Sequence, residues 1–433
     1  MSSRGWSPLV AVLSLLTLAA CGDDDVTPTQ CRPGDHTTTV ALHTRQRSQL
    51  LDVRAADAGL VALRDGDDPS CPWQVQAGSG TGAYELAITH ERYAVAVACT
   101  DPSVNPVVRV FSRTVQDVAE LTATCAARVD DTGAHAIGIE FDTSETPATF
   151  EGFLLDQTTE RQLSAGAFTQ ITWQGRGGTY DLVVFGRTNL AAGAPDELLV
   201  IRDVLLDRDR IVDAHPATAA YVPFAPAGTM SAPEPLTLQT RYLTGRGTRA
   251  PLGIAFATDG ATAGTFATWP AALVDPGDAY EQIAFTADAT SSRLAQRFTL
   301  DPSNFTPALP PAFDPAASLT LGGDAPKLAH AALADAALYS LNCIASDHAV
   351  VYDVSATYHG PAASVVFPLP ALPDELPAAT RSFNGCTWEI VAAGSTHGLA
   401  TELELANIGL IPGTPAQLAG TERWLSRRDL TAR

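Results

Sequence analysis

The chain has 433 residues, with 48 acidic and 27 basic side chains and a formal net charge of −21. Such a surface repels nucleic acid and anionic lipid headgroups, so neither is an expected partner. Hydrophobic residues make up 45% of the chain, which is enough for packed cores and excludes wholesale disorder.

The first stretch has the three parts of a secretory signal. Arg4 is basic, Leu9 to Ala20 (LVAVLSLLTLAA) is apolar, and Ala19 and Ala20 are small. The apolar run falls short of the about 20 residues that a membrane-spanning helix needs. It ends in Leu18-Ala19-Ala20-Cys21, which closely resembles the bacterial lipobox. That resemblance implies removal of residues 1–20 as a signal peptide, diacylation of the Cys21 thiol, and a palmitate-type membrane anchor. The plainer reading is an ordinary secretory signal that leaves Cys21 as a spare thiol. Residues 22–30 (GDDDVTPTQ) are acidic and without apolar periodicity, so 21–36 is expected to be a lipidated cysteine and flexible tether. Gly22 follows the cysteine where enterobacterial inner-membrane lipoproteins carry Asp, which by analogy leans toward the outer membrane.

With Cys21 acylated, six cysteines remain: Cys31, Cys71, Cys99, Cys125, Cys343 and Cys386. An even number in an exported chain points to disulfides, because the compartment oxidises thiols. The spacing separates an early four from a late pair, so Cys343–Cys386 is the expected bridge. The early four allow three pairings. There is no C-x-x-C, and no Cys/His set has zinc-finger spacing.

Beyond the tether the chain reads as short strands. Thr37 to Leu42 (TTTVAL), Tyr93 to Ala98 (YAVAVA), Val107 to Phe111 (VVRVF) and Tyr180 to Phe185 (YDLVVF) are rich in β-branched or aromatic residues, several at period two. Asp65-Gly66-Asp67-Asp68 and Asp275-Pro276-Gly277-Asp278 carry turn chemistry. A weak repeat runs through these strands. Ile137 to Thr143 (IGIEFDT) recurs as Leu252 to Thr258 (LGIAFAT). Gly166-Ala167-Phe168, Trp173 and Tyr180 to Phe185 recur as Gly264-Thr265-Phe266, Trp269 and Tyr280 to Phe285. The copies lie about 100 to 115 residues apart, a usual size for a β-sandwich domain. Fainter copies begin at Leu60 to Leu63 with Gly82-Ala83-Tyr84 and Tyr93, and at Trp388 to Val391. The aromatics are expected to face inward as core.

The expected fold class is therefore all-β, with tandem β-sandwich modules of immunoglobulin-like texture over 37–128, 129–218, 219–316 and 317–413. Residues 414–433 read as a surface tail. Ala325 to Leu341 is rich enough in alanine to form a helix, or a loop leading into the strand before Cys343. Pro307 to Pro315 and Pro368 to Pro377 read as extended, proline-rich connections.

No catalytic signature stands out. There is no G-x-S-x-G elbow, and Gly394-Ser395-Thr396-His397-Gly398 sets its Ser and His too close together to form one. There is no H-E-x-x-H. Gly78-Ser79-Gly80-Thr81-Gly82 lacks the Lys and helix of a phosphate loop and reads as a turn. Asp65, Asp67 and Asp68 cluster hard oxygen ligands, so calcium is the one candidate cofactor, although the EF-hand order is absent. Trp73 and Trp424 lie outside the repeat and are candidate stacking residues for a glycan. The leading expectation is a non-catalytic, lipid-anchored envelope scaffold or adhesion protein with an envelope protein or glycan as partner. Glycan binding through Trp73 and Trp424 comes second, and third a hydrolase whose groups are gathered from dispersed positions.

Overall fold

The protein is described by a computed structural model over residues 31–47, 53–68, 70–99, 105–126, 134–140, 149–155, 160–165, 170–187, 196–214, 219–256, 260–321, 326–359, 364–396 and 414–430. The expected signal peptide and residues 21–30 of the expected tether lie outside the described residues, whereas its residues 31–36 are tied to the first sandwich, the N–H groups of Gly34 and His36 donating to Thr89.

Strands follow one another along the chain. The first group is β1 (Thr38–Arg47), β2 (Val53–Ala55), β3 (Leu60–Asp65), β4 (Gln74–Val75), β5 (Ala83–Ile88), β6 (Arg92–Cys99), β7 (Val107–Thr114) and β8 (Glu120–Ala126). The second is β9 (Ala134–Glu140), β10 (Thr149–Leu155), β11 (Glu160–Ala165), β12 (Gln170–Arg176), β13 (Gly178–Arg187), β14 (Glu197–Leu206), β15 (Arg210–Asp213) and β16 (Val222–Pro223). The third is β17 (Gly228–Ala232), β18 (Thr237–Leu243), β19 (Arg249–Phe256), β20 (Thr262–Phe266), β21 (Ala279–Ala287) and β22 (Ser291–Thr299). The fourth is β23 (Ser318–Thr320), β24 (Lys327–Ala331), β25 (Leu338–Ile344), β26 (Ala349–Ser355), β27 (Ser364–Pro368), β28 (Thr387–Ser395) and β29 (Glu422–Leu430), with a short helix α1 (Ala356–His359) after β26.

One strand order recurs four times. The antiparallel arrays β4-β3-β6-β7, β11-β10-β13-β14, β19-β18-β21-β22 and β26-β25-β28-β29 are equivalent. So are the antiparallel pairs β1–β5, β9–β12, β17–β20 and β24–β27, each belonging to a smaller sheet. A late strand of each of the first two groups adds to that smaller sheet in parallel, β8 on β1 and β15 on β9. Packing confirms the layering: Val40, Leu42, Tyr84 and Leu86 of the first small sheet share a core with Val61, Tyr93, Val95 and Phe111 of its four-stranded array. Met230 and Phe266 do the same against Leu238 and Ala284.

This is the all-β sandwich architecture expected. Tyr180 to Phe185 and Tyr280 to Phe285 fall on the equivalent strands β13 and β21, and Leu60 to Leu63 and Phe153 to Leu155 fall on β3 and β10. A buried aromatic opens the equivalent strand in each copy: Tyr93, Tyr180, Tyr280 and Trp388. The other half of the repeat is corrected. Ile137 to Glu140 lies on β9 in a small sheet, whereas Leu252 to Phe256 lies on β19 in the large one. An alternating apolar run with one glycine looks alike on either layer, because both layers present the same period to a core.

The sandwiches are fused through their large sheets. β22 pairs with β29, and β26 runs parallel beside β7, so three four-stranded arrays join into one twelve-stranded sheet. Along that sheet the third sandwich is followed by the fourth and then the first. Residues 422–430 of the expected tail are thus strand β29, hydrogen-bonded on both sides to β22 and β28. The alanine-rich stretch is also strand: Lys327 to Ala331 is β24 and Leu338 onward is β25. Within it Leu328, His330, Leu338 and Tyr339 are buried, and their packing overrides the helix propensity of the alanines.

The first sandwich has its large sheet buried on both faces. Tyr93, Val95 and Val97 point to its own small sheet. Ala94, Ala96 and Ala98 point the other way, into a core shared with Leu341, Tyr352 and Trp388 of the fourth sandwich. The proline-rich connection 368–377 straps this seam: Leu369 and Leu376 are buried in the shared core, and Trp73 donates its indole N–H to the Ala371 carbonyl at 2.8 Å. The second sandwich meets the third through Val183, Phe185 and Leu198 against Tyr242, Leu252 and Trp269.

Candidate interaction face

Side chains alternate across a strand, so a sheet that buries one face presents the other. The third and fourth sandwiches both bury the face bearing Leu238, Ala284, Leu341 and Ile390. The opposite face runs over β18, β21, β22, β29, β28, β25 and β26, and it is covered in part where Leu418 packs on Leu243 and Phe298 and where Val118 packs on Leu338 and Ala393. It carries a ladder of polar groups across strands from distant parts of the chain. Arg109 on β7 lies 3.7 Å from Asp353 on β26, whose carboxylate accepts a 2.6 Å hydrogen bond from Ser340 on β25. Asn342 donates to Glu389 on β28 at 3.1 Å, and Arg427 on β29 closes the row with a 2.5 Å ion pair to Glu389. Further along, Arg241 donates to the buried Glu281 at 3.1 Å, and Gln296 donates to the other oxygen of that carboxylate. Half-buried Val351, Val391, Leu425, Leu294 and Phe285 stand between these groups.

Such a face has its rotamers already fixed by cross-strand bonds, which lowers the side-chain ordering cost of binding. It offers fixed donors, acceptors and apolar contacts to a flat partner. None of Arg109, Asp353, Glu389 and Arg427 was singled out by the sequence. They are scattered over about 320 residues, and only the fused sheet brings them together.

The residues that the sequence did single out go elsewhere. Asp65 is buried, and its carboxylate accepts from the Thr89 N–H at 2.9 Å, the Thr89 hydroxyl at 2.6 Å and the His90 N–H at 2.9 Å. Burial alone would raise its pKa, but these hydrogen bonds outweigh it and hold the carboxyl below its usual range. Asp67 pairs with Arg92 at 3.1 Å, and Asp68 caps the Ser70 N–H at 2.7 Å. The three aspartates knit a turn instead of converging on a shared point. Among the described residues, two sets of three or more His, Cys, Asp or Glu lie close enough to share an ion, and both contain disulfide-bonded cysteines.

Trp73 is half-buried against the shared core of the first and fourth sandwiches. Trp424 lies on β29 over Gly394, where an added Cβ would fall 2.4 Å from the indole nitrogen. Both indoles are thus packing elements at the seam. The glycine-rich loop 78–82 wraps an internal anion: Asp57 accepts from the Ser79 hydroxyl at 2.7 Å and from the N–H groups of Gly80 at 2.7 Å and Gly82 at 2.8 Å. Those bonds from Ser79 and Gly80 hold Asp57 down to about 2.

The six cysteines form three disulfides: Cys31–Cys71, Cys99–Cys125 and the expected Cys343–Cys386, with Cα–Cα distances of 4.7, 5.2 and 5.2 Å.

No family model matches the chain, and no curated protein matches it. Among solved structures, a putative adhesin from Bacteroides ovatus is 11% identical at a TM-score of 0.19, over 42% of this chain and 95% of that one. A shaft pilin from Lactobacillus rhamnosus GG is 9% identical at a TM-score of 0.16, over 42% and 97%. Two B repeat units of the collagen-binding protein of Staphylococcus aureus are 8% identical at a TM-score of 0.14, over 82% and 93%. At such scores these likenesses carry no argument about this chain.

Proposed function

We propose that this protein is a non-catalytic cell-envelope lipoprotein, held in the outer membrane by lipid on Cys21, that acts as a scaffold or adhesion platform. The observation that carries this reading is the ordered polar face, which is built jointly by strands of the first, third and fourth sandwiches. A surface that exists only when repeated modules are fused suits a protein that presents an extended contact. The partner is an envelope protein or glycan; the strongly acidic chain disfavours nucleic acid. We assign one repeat to each module, beginning near residues 37, 129, 219 and 317, with the fourth extended past 413 to take in β29. The anchor supplies about 0.8 kcal/mol per buried methylene, and more than one acyl chain holds stably. The Cys31–Cys71 bridge supports a short tether, since only ten Cα–Cα steps separate Cys21 from Cys31. Fully extended they reach about 35 Å, which keeps the body close to the bilayer.

Two measurements test the proposal. Mass spectrometry of the mature N-terminus is expected to find acylated Cys21; a free thiol there removes the anchor. Photocrosslinkers placed at Val391 and Val351 in intact cells are expected to give discrete adducts, with none from exposed Val75 at the far sheet edge. Equal yields from all three positions would remove the platform reading.

A further inference from the structure

The three disulfides differ in their surroundings in a way that bears on their chemistry. Cys99 and Cys125 are 3% and 6% exposed, and no histidine joins them in a close cluster among the described residues. Cys31 is half-buried and Cys71 buried, and a ring nitrogen of His90 lies within 4.8 Å of both sulfurs. The imidazole is held in place: its Nδ1 is 3.2 Å from the Asp65 carboxylate and 3.3 Å from the Thr89 hydroxyl. Gly66, with φ at +110°, lets the groups approach; a Cβ there would lie 2.8 Å from Cys71 Sγ and 3.3 Å from His90 Cδ2. The third bridge provides an internal contrast. His348 sits beside Cys343–Cys386 in the same manner, but its two ring nitrogens are already engaged, with Asp347 at 2.7 Å and the Ser382 carbonyl at 2.8 Å.

Thiol–disulfide exchange depends on access to one sulfur and on how well the other leaves as a thiolate. Cys31–Cys71 meets both conditions, since one sulfur belongs to a half-exposed residue and the other faces an oriented imidazole.

We propose that Cys31–Cys71 is an exchange-active disulfide opened by an external dithiol, with His90 as the positioning residue for the departing sulfur. The dithiol's thiolate attacks Cys31 Sγ, forming a mixed disulfide and breaking the Cys31–Cys71 bond. The bonding pair passes to Cys71 Sγ, which leaves as a thiolate hydrogen-bonded by His90 and then takes up the proton given up by the attacking thiol. The second thiol of the reagent attacks the mixed disulfide, releasing the Cys31 thiol and the oxidised, cyclic reagent. Two electrons pass from reagent to protein.

The test uses the mature full-length protein, dithiothreitol as the dithiol, and timed alkylation read by peptide mass spectrometry. Cys31–Cys71 is expected to open at least about tenfold faster than Cys99–Cys125, with Cys343–Cys386 slower than Cys31–Cys71. His90→Gln is expected to slow opening of Cys31–Cys71 several-fold. In the same variant an unchanged Cys99–Cys125 rate reports that the sandwich remains folded. His348→Gln provides the second variant and is expected to leave the Cys31–Cys71 rate unaltered. If Cys31–Cys71 opens no faster than Cys99–Cys125, or if His90→Gln leaves its rate unchanged, the proposal is overturned.

Discussion

Arg202 shows how much one side chain can hold. It reaches from β14 of the second sandwich into the third, where its guanidinium grips Asp278 through bonds of 2.7 and 3.1 Å and Asp275 at 2.7 Å. The Asp278 side chain is fully buried, and the Tyr242 hydroxyl donates to it as well. Removing one member of a buried pair leaves an uncompensated charge. Arg202→Ala is therefore expected to cost about 3 kcal/mol in urea unfolding. A loss below about 0.5 kcal/mol would class the contact with ordinary surface pairs. Histidines at the other seam give a pH dependence. Burial, with His330 and Arg92 nearby, holds His359 down to about 4, and burial lowers His330 too. Both are bases whose folded-state pKa lies below the unfolded value of 6.5. The unfolded chain consequently binds more protons in this range. Stability is full above pH 6.5 and is lost as pH falls toward 4. The melting temperature is expected to drop between pH 7 and 4.5, and His359→Asn to reduce that drop. An identical pH profile in the variant would mean that the ring is already charged when folded.

At the scale of elements, β29 is the tie between two sandwiches. Ser426 is fully buried at its centre, opposite Arg293 on one side and Ala392 on the other. Proline cannot donate to the ladder, so Ser426→Pro is expected to cost about 3 kcal/mol or more, measured by denaturant unfolding. The same change in a free surface tail would cost almost nothing. The strand was hidden because its sequence, ERWLSRRDL, is mostly polar: one side carries Arg423 and Arg427 on the open face, and its place is set by two partners far away in the chain. By contrast β13 and β21 were legible, because a leading tyrosine and alternating apolar residues serve the same local purpose in both copies. Tyr93 to Cys99 carried a subtler signal. A strand with no polar residue on either face is one that is buried on both sides, which foretells a second layer over Ala94, Ala96 and Ala98 without naming it. The polar face had no local signature at all, since Arg109, Asp353, Glu389 and Arg427 become neighbours only through strand pairing. The turn chemistry at Asp65 was legible, and there three carboxylates close in sequence spend lone pairs on backbone and side-chain donors of the same module.

On the scale of the whole molecule, four similar units are joined in an order that the chain does not follow. Sequence runs from first to fourth, whereas the large sheet runs third, fourth, first. The fourth sandwich is the centrepiece: it pairs β26 with β7 on one flank and β29 with β22 on the other. Pairings across such separations make a fold slow, because loop closure has to be met before the contacts reward it. There is a consequence for the order in which the polypeptide emerges. The edge of β7 and the alanine face of β6 are complete once residue 114 has appeared, yet their cover begins with β24 and β26, more than 200 residues later. At about 5–20 residues per second, that is an interval on the order of ten seconds or more. Throughout it an apolar sheet with an open edge is bare, the very surface to which other strands add. A nascent chain of this design depends on being kept apart from its own kind until its last quarter arrives.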